Sequence, residues 1–120
     1  MAQTSAKLRR EHGFGHWRWQ RISAVATLGL MLYFTYLVAS MGPLDYSAAM
    51  AFVARPQHAV ALAILVIAGL FHAALGVQMI IEDYIPLASG RLALVTTARG
   101  VFAISAMASL VSVGMIAGLL

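Results

Sequence analysis

The stretch HAVALAILVIAGLFHAALGVQMIIEDY (residues 58–84) carries no Asp, Glu, Lys or Arg until Glu82. At about 1.5 Å per residue, its apolar part is long enough to cross a hydrocarbon core of about 30 Å as a single helix. Two other runs, residues 22–44 and 100–120, are equally free of those four residue types. The chain as a whole is 62% hydrophobic and only 10% charged, with a mean hydropathy of +0.86, outside the range of ordinary soluble domains. These patterns predict an all-α integral membrane bundle of three transmembrane helices, over about residues 21–41, 58–84 and 92–120, forming one membrane-anchor domain across residues 1–120. Neither the segment before the first span nor the loops are large enough for a soluble domain, so soluble chemistry is expected to come from partner chains.

The net charge of +4 reflects topology rather than nucleic-acid binding. Lys7, Arg9, Arg10, Arg18 and Arg21 precede the first span, Arg91 and Arg99 lie between the second and third, and only Arg55 lies between the first and second. By the positive-inside rule the N-terminus and the second loop are expected to be cytoplasmic, and the C-terminus to face the other side. The first apolar run is longer than a signal-peptide core of about 7–15 residues and is read as a retained span. With no cysteine, the chain offers no disulfide framework, no iron–sulfur ligand, no thioether haem attachment and no thiol nucleophile.

Residues 1–20 read as a polar, basic, cytoplasmic segment, loosely ordered over the first fifteen. In HWRWQR (residues 16–21) the two tryptophans suit a membrane interface, and Arg21 suits either a snorkelling topology signal or an anion-binding group for a carboxylate or propionate. Gly42 and Pro43 stop the first span, and Asp45 is placed to cap a short amphipathic turn through Tyr46 and Phe52. Pro56 suits the first turn of the second span, which must end before Pro86. In the third, Ser105, Ala108, Ser109 and Ser112 are small enough for close helix approach.

An ionisable side chain inside a span marks a functional site by default, which singles out His72. Twelve residues before Tyr84 it lies about 18 Å along the helix axis, toward the bilayer middle. Ala68, Gly69 and Gly76 strip bulk from the surface around it, as close packing against another helix, a haem face or a proton path would each require. No second ligand shares the stripe as a zinc or di-iron site demands. His58, at the helix start, reads as an interface residue, and His12 and His16 as solvated or partner-facing. Glu82 and Asp83 oppose the helix macrodipole where they stand, so something should offset their placement. Asp83 follows His72 by eleven residues, which is close to three turns, and is therefore expected in the same groove. Together with Tyr84 as a hydrogen-bond donor it suits a quinone pocket at the membrane face.

HxxxGxxxIxxDY, filled by His72, Gly76, Ile80, Asp83 and Tyr84, and HWxxQRxxA, filled by His16, Trp17, Gln20, Arg21 and Ala24, resemble the hydrophobic membrane anchor subunits of succinate dehydrogenase, the D chains of respiratory complex II. The resemblance runs from about Gly13 into the last span. It implies that His72 is an axial ligand of haem b iron, the other coming from a companion cytochrome b556-type membrane subunit. It implies further that Tyr84 hydrogen-bonds ubiquinone with Asp83 beside it, and that Arg21 lies near the haem propionates. FAD and iron–sulfur clusters would belong to the flavoprotein and iron–sulfur subunits, which this chain would anchor to the bilayer for electron transport from the tricarboxylic acid cycle. The implied location is the bacterial inner (cytoplasmic) membrane rather than the mitochondrial one, with no nucleic-acid partner. Glu82 before the Asp–Tyr pair, and Gly29 where many relatives carry proline, depart from the pattern. The residues also admit the anchor of another quinone-linked dehydrogenase, of fumarate reductase or hydrogenase type, or a structural membrane protein in which His72 only packs.

Overall fold

A computed structural model of the chain describes residues 2–120, with side chains from Gly13 onward. It contains four helices, α1 (Ala2–Met41), α2 (Tyr46–Ala54), α3 (Pro56–Tyr84) and α4 (Ala88–Ile116), and no strand among the described residues. Three are long and apolar enough to cross a membrane: residues Gly13–Met41 of α1, α3 and α4.

The breaks fall where backbone chemistry requires them. Gly42 ends α1 in the left-handed region at φ 71°, which costs glycine little, and Pro43 follows. Asp45 accepts from the Ala48 amide at 2.7 Å and caps α2 as expected. Arg55, held extended by the proline after it, separates α2 from α3, and Pro56 opens α3 without forfeiting a helical hydrogen bond. Ile85 is likewise extended before Pro86, and Arg91 closes the α3–α4 connection by donating to the Ile85 carbonyl at 3.1 Å.

Two boundaries differ from the sequence expectation. α1 begins at Ala2 rather than near residue 21, because no proline interrupts the chain before Pro43 and isolated glycines such as Gly13 and Gly15 weaken a helix without ending it. α4 runs from Ala88 and stops at Ile116 rather than continuing to residue 120. There Gly118, at φ 72°, forms a Schellman stop in which Leu119 N–H donates to Gly114 O at 2.9 Å and Gly118 N–H to Met115 O at 3.2 Å.

α3 occupies the middle of the bundle, packed against α1 on one side and α4 on the other, while α2 rests on α3 and α4. The assembly is elongated, 61 × 25 × 25 Å, as antiparallel membrane helices of this length require. Among the described residues very little is buried: Phe52 and Ala59 among apolar residues, Ser23 and His58 among polar ones. A soluble protein with so small a core would not fold; the exposed apolar faces suit the hydrocarbon of a bilayer.

Candidate functional site

One seam between α1 and α3 brings several polar groups together. His16, Gln20, Ser23 and Thr27 follow one another at intervals of four, three and four residues, so they form a single stripe on α1. That stripe faces the stripe of α3 that contains Gly69, His72 and Gly76. A methyl group on Gly69 would sit 3.8 Å from Thr27 Cγ2, and one on Gly76 would sit 3.8 Å from Gln20 Nε2. Both distances are ordinary van der Waals contact, so the glycines flanking His72 lie against α1 with room for a methyl group but not for a larger side chain.

Between those contacts His72 meets Ser23, with Nδ1 and Oγ 3.2 Å apart. Ser23 is 5% exposed, and its hydroxyl donates to the Gln20 carbonyl oxygen at 3.1 Å. With its one proton turned toward Gln20, the hydroxyl oxygen can accept from His72 in the Nδ1-protonated tautomer. The lone pair of the imidazole then resides on Nε2, the arrangement a metal-ligating histidine requires.

A groove of about 380 Å³ opens beside the ring, lined from α1 by Gly13, His16, Trp17, Gln20, Arg21 and Ala24 and from α3 by His72 and Met79. Arg21 lies over the Trp17 ring at 5.7 Å, which steers its guanidinium along the groove wall. His16 Nε2 and Gln20 Oε1 are buried in this wall with no hydrogen-bond partner, and Thr27 Oγ1, further along the stripe, is in the same state. Buried polar atoms are rarely left unpaired, so orphaned groups bordering an open groove beside a cation and an imidazole fit a bound polar ligand. The sequence reading placed His16 in solvent or facing a partner; its four-residue spacing from Gln20 was the signal that it shares their face.

Of the residues expected at the site, Arg21 and His72 are brought together. Asp83 and Tyr84 are not: the groove ends at Met79, one turn before Asp83, and both residues are exposed, Tyr84 to 79%. Glu82 has its own arrangement. Gln78 Nε2 donates to it at 2.6 Å, and Arg99 of α4 donates to Gln78 Oε1 at 2.7 Å. This chain of hydrogen bonds offsets an acid at a helix C-terminus, and it heads a separate, mostly apolar cleft of about 390 Å³ between α3 and α4. His58 stands near the other end of α3, with Nδ1–H donating to the Phe52 carbonyl at 2.9 Å and the two rings stacked 4.0 Å apart. His12 lies outside the residues whose side chains are described.

Fold and site together define an integral membrane protein of three spans with a polar seam between α1 and α3. The chain belongs to the succinate dehydrogenase/fumarate reductase transmembrane subunit family, whose model matches residues 2–113. It is similar to a succinate dehydrogenase hydrophobic membrane anchor subunit from Rickettsia bellii, with 37% identity over 73 residues, 61% of this chain and 58% of that relative. The aligned stretch thus spans a little under three fifths of the relative's length.

Proposed function

We propose that this chain is the membrane anchor subunit of a succinate:quinone oxidoreductase, contributing half of a haem b site and part of the ubiquinone-reducing site without turning over substrate by itself. The observation that carries the proposal is the His72–Ser23 contact beside the groove, which suits an imidazole with Nε2 free next to a space lined by Arg21 and bordered by two unpartnered polar atoms. The donor set suits haem b. His72 Nε2 would be one axial ligand, and Arg21, with His16 beside it, would neutralise and hydrogen-bond a propionate. The second axial ligand would come from a cytochrome b556-type membrane subunit. When bound, the haem supplies a one-electron centre within the membrane.

The remaining roles belong to the chain's own side chains. Tyr84, exposed at the end of α3, is free to donate its phenol hydrogen to a quinone carbonyl oxygen, and Asp83 next to it can pass protons from water as the quinol forms. Tyr84 is exposed here because the remaining walls of that pocket belong to the iron–sulfur and cytochrome b subunits. The flavoprotein and iron–sulfur subunits, carrying FAD and the clusters, dock on the same face. By the positive-inside rule, the basic residues of the N-terminus and second loop support a cytoplasmic position for that face, in a bacterial inner membrane.

The test is an absorption spectrum of the purified complex. His72→Ala is expected to abolish the low-spin b-type signal while the flavoprotein and iron–sulfur subunits still co-purify. A haem spectrum identical to wild type in that variant would overturn the assignment.

A further inference from the structure

Ser23 was not singled out by its sequence; a serine in a membrane helix normally returns its hydroxyl hydrogen bond to its own helix and does nothing else. Here it does both. Its hydroxyl donates to the Gln20 carbonyl at 3.1 Å and stands 3.2 Å from His72 Nδ1 on the neighbouring helix, and the residue is almost wholly buried. We propose that Ser23 is a positioning residue for His72: its oxygen accepts the Nδ1 proton, fixes the imidazole as the tautomer with Nε2 free, and sets the electron-donating strength of that nitrogen. The inference rests on His72 being an axial ligand.

Three features support it. First, the geometry suits this direction, since the Gln20 carbonyl at 3.1 Å offers the hydroxyl proton an acceptor and leaves the oxygen able to take the Nδ1 proton. Second, the chain His72 Nδ1–H to Ser23 Oγ–H to Gln20 O is cooperative, each donation making the next oxygen a better acceptor. Third, the contact lies between the Gly69–Thr27 and Gly76–Gln20 approaches, so the two helices are held at the separation the bond needs. A hydrogen bond accepted from the far nitrogen of a ligating imidazole pushes electron density toward the ligating one and favours the more highly charged, oxidised metal. Loss of the hydroxyl therefore favours the reduced form and raises the midpoint potential.

The experiment is a potentiometric titration of the b-type absorption in the intact complex, comparing wild type with Ser23→Ala, Ser23→Thr and Ser23→Val, and with His72→Ala as the control for the underlying reading. Thr and Val have nearly the same shape and differ in the hydroxyl, so their comparison separates the hydrogen bond from packing. At the wild-type midpoint, the ratio of reduced to oxidised haem is expected to rise about threefold to tenfold in the Ala and Val variants, the range of one net hydrogen bond, and to stay within about twofold in the Thr variant. If Val and Thr titrate alike, or if the Ala and Val variants keep the wild-type midpoint, Ser23 is a packing residue and the inference fails. Equal loss of haem from the Val and Thr variants would also overturn it. If His72→Ala leaves the haem signal intact, the axial-ligand reading fails and the role of Ser23 as its positioning residue falls with it.

Discussion

His58→Ala is expected to release α2 from α3 while leaving the haem content of the complex unchanged. His58 is 6% exposed, its Nδ1–H donates to the Phe52 carbonyl at 2.9 Å, and its ring lies 4.0 Å from that of Phe52 at an interplanar angle of 27°. Phe52, 7% exposed, in turn meets Phe34 of α1 edge-on at 6.4 Å, so one pair of rings ties α2 to two spans. Truncation removes a hydrogen bond worth about 0.5–1.5 kcal/mol and a stacked pair worth about as much, and leaves a cavity beside Phe52, for a total of about 2–4 kcal/mol. Hydrogen exchange of the α2 amides in the detergent-solubilised complex reads that local opening, with protection expected to fall at least tenfold. His58→Phe retains the stacking and loses only the hydrogen bond, with an expected loss of about 1 kcal/mol, because the Arg55 amide still donates to the Phe52 carbonyl at 3.3 Å. Unchanged α2 protection in His58→Ala would refute the pinning role. Loss of the b-type signal would show that the ring serves a haem instead.

Tyr84→Phe should slow quinone reduction severely while succinate oxidation with an artificial electron acceptor survives; equal loss of both activities would point to failed assembly. The Ala48 amide and the Ser47 hydroxyl hold the Asp45 carboxyl below its ordinary value of 3.8. A depressed native value means that the cap stabilises α2 at all pH above the unfolded carboxyl's range and is lost as pH falls through the native value. The Ala48 amide resonance should therefore shift only at acid pH, below 3.8, and the transition should vanish in Asp45→Asn. Gly76→Ala should assemble with normal haem, since the added methyl would make ordinary contact with Gln20 Nε2 at 3.8 Å. Gly76→Leu should wedge α1 from α3 at a cost of about 1–3 kcal/mol, stretch the Ser23–His72 bond and lower haem occupancy in the purified complex.

The three spans were legible because membrane insertion depends on uninterrupted apolar length, which survives in sequence whatever the packing. The caps were legible for a similar reason: Gly42, Asp45, Pro56 and Pro86 act on their own backbone and need no tertiary partner. Where the reading missed, the missing information was tertiary. Spacing along α3 put His72 and Asp83 on one face, but where α1 leaves that face is a property of the helix crossing, and the groove closes at Met79. Spacing along α1 contained the stripe His16, Gln20, Ser23 and Thr27, which becomes visible as a unit only when His72 is set against it. Glu82 needed Arg99 from another helix, acting through Gln78, before its placement made sense.

If His72 ligates haem as proposed, the open side of the groove is where a companion chain would complete the site. The groove beside His72 is walled on two sides only, by α1 and α3, because α4 lies on the opposite flank of α3. A six-coordinate iron needs a second strong ligand across the ring from His72. His58, the other described histidine of α3, lies about 21 Å along the helix axis and commits its Nδ1 and one ring face to Phe52. Arg21, His16 and Gln20 line the groove from α1. On the proposed reading the second imidazole would come from another chain along the open side of the seam. Co-expression with and without a cytochrome b-type partner should then give b-type absorption only in the paired preparation, and a six-coordinate low-spin signal from this chain alone would contradict the geometry.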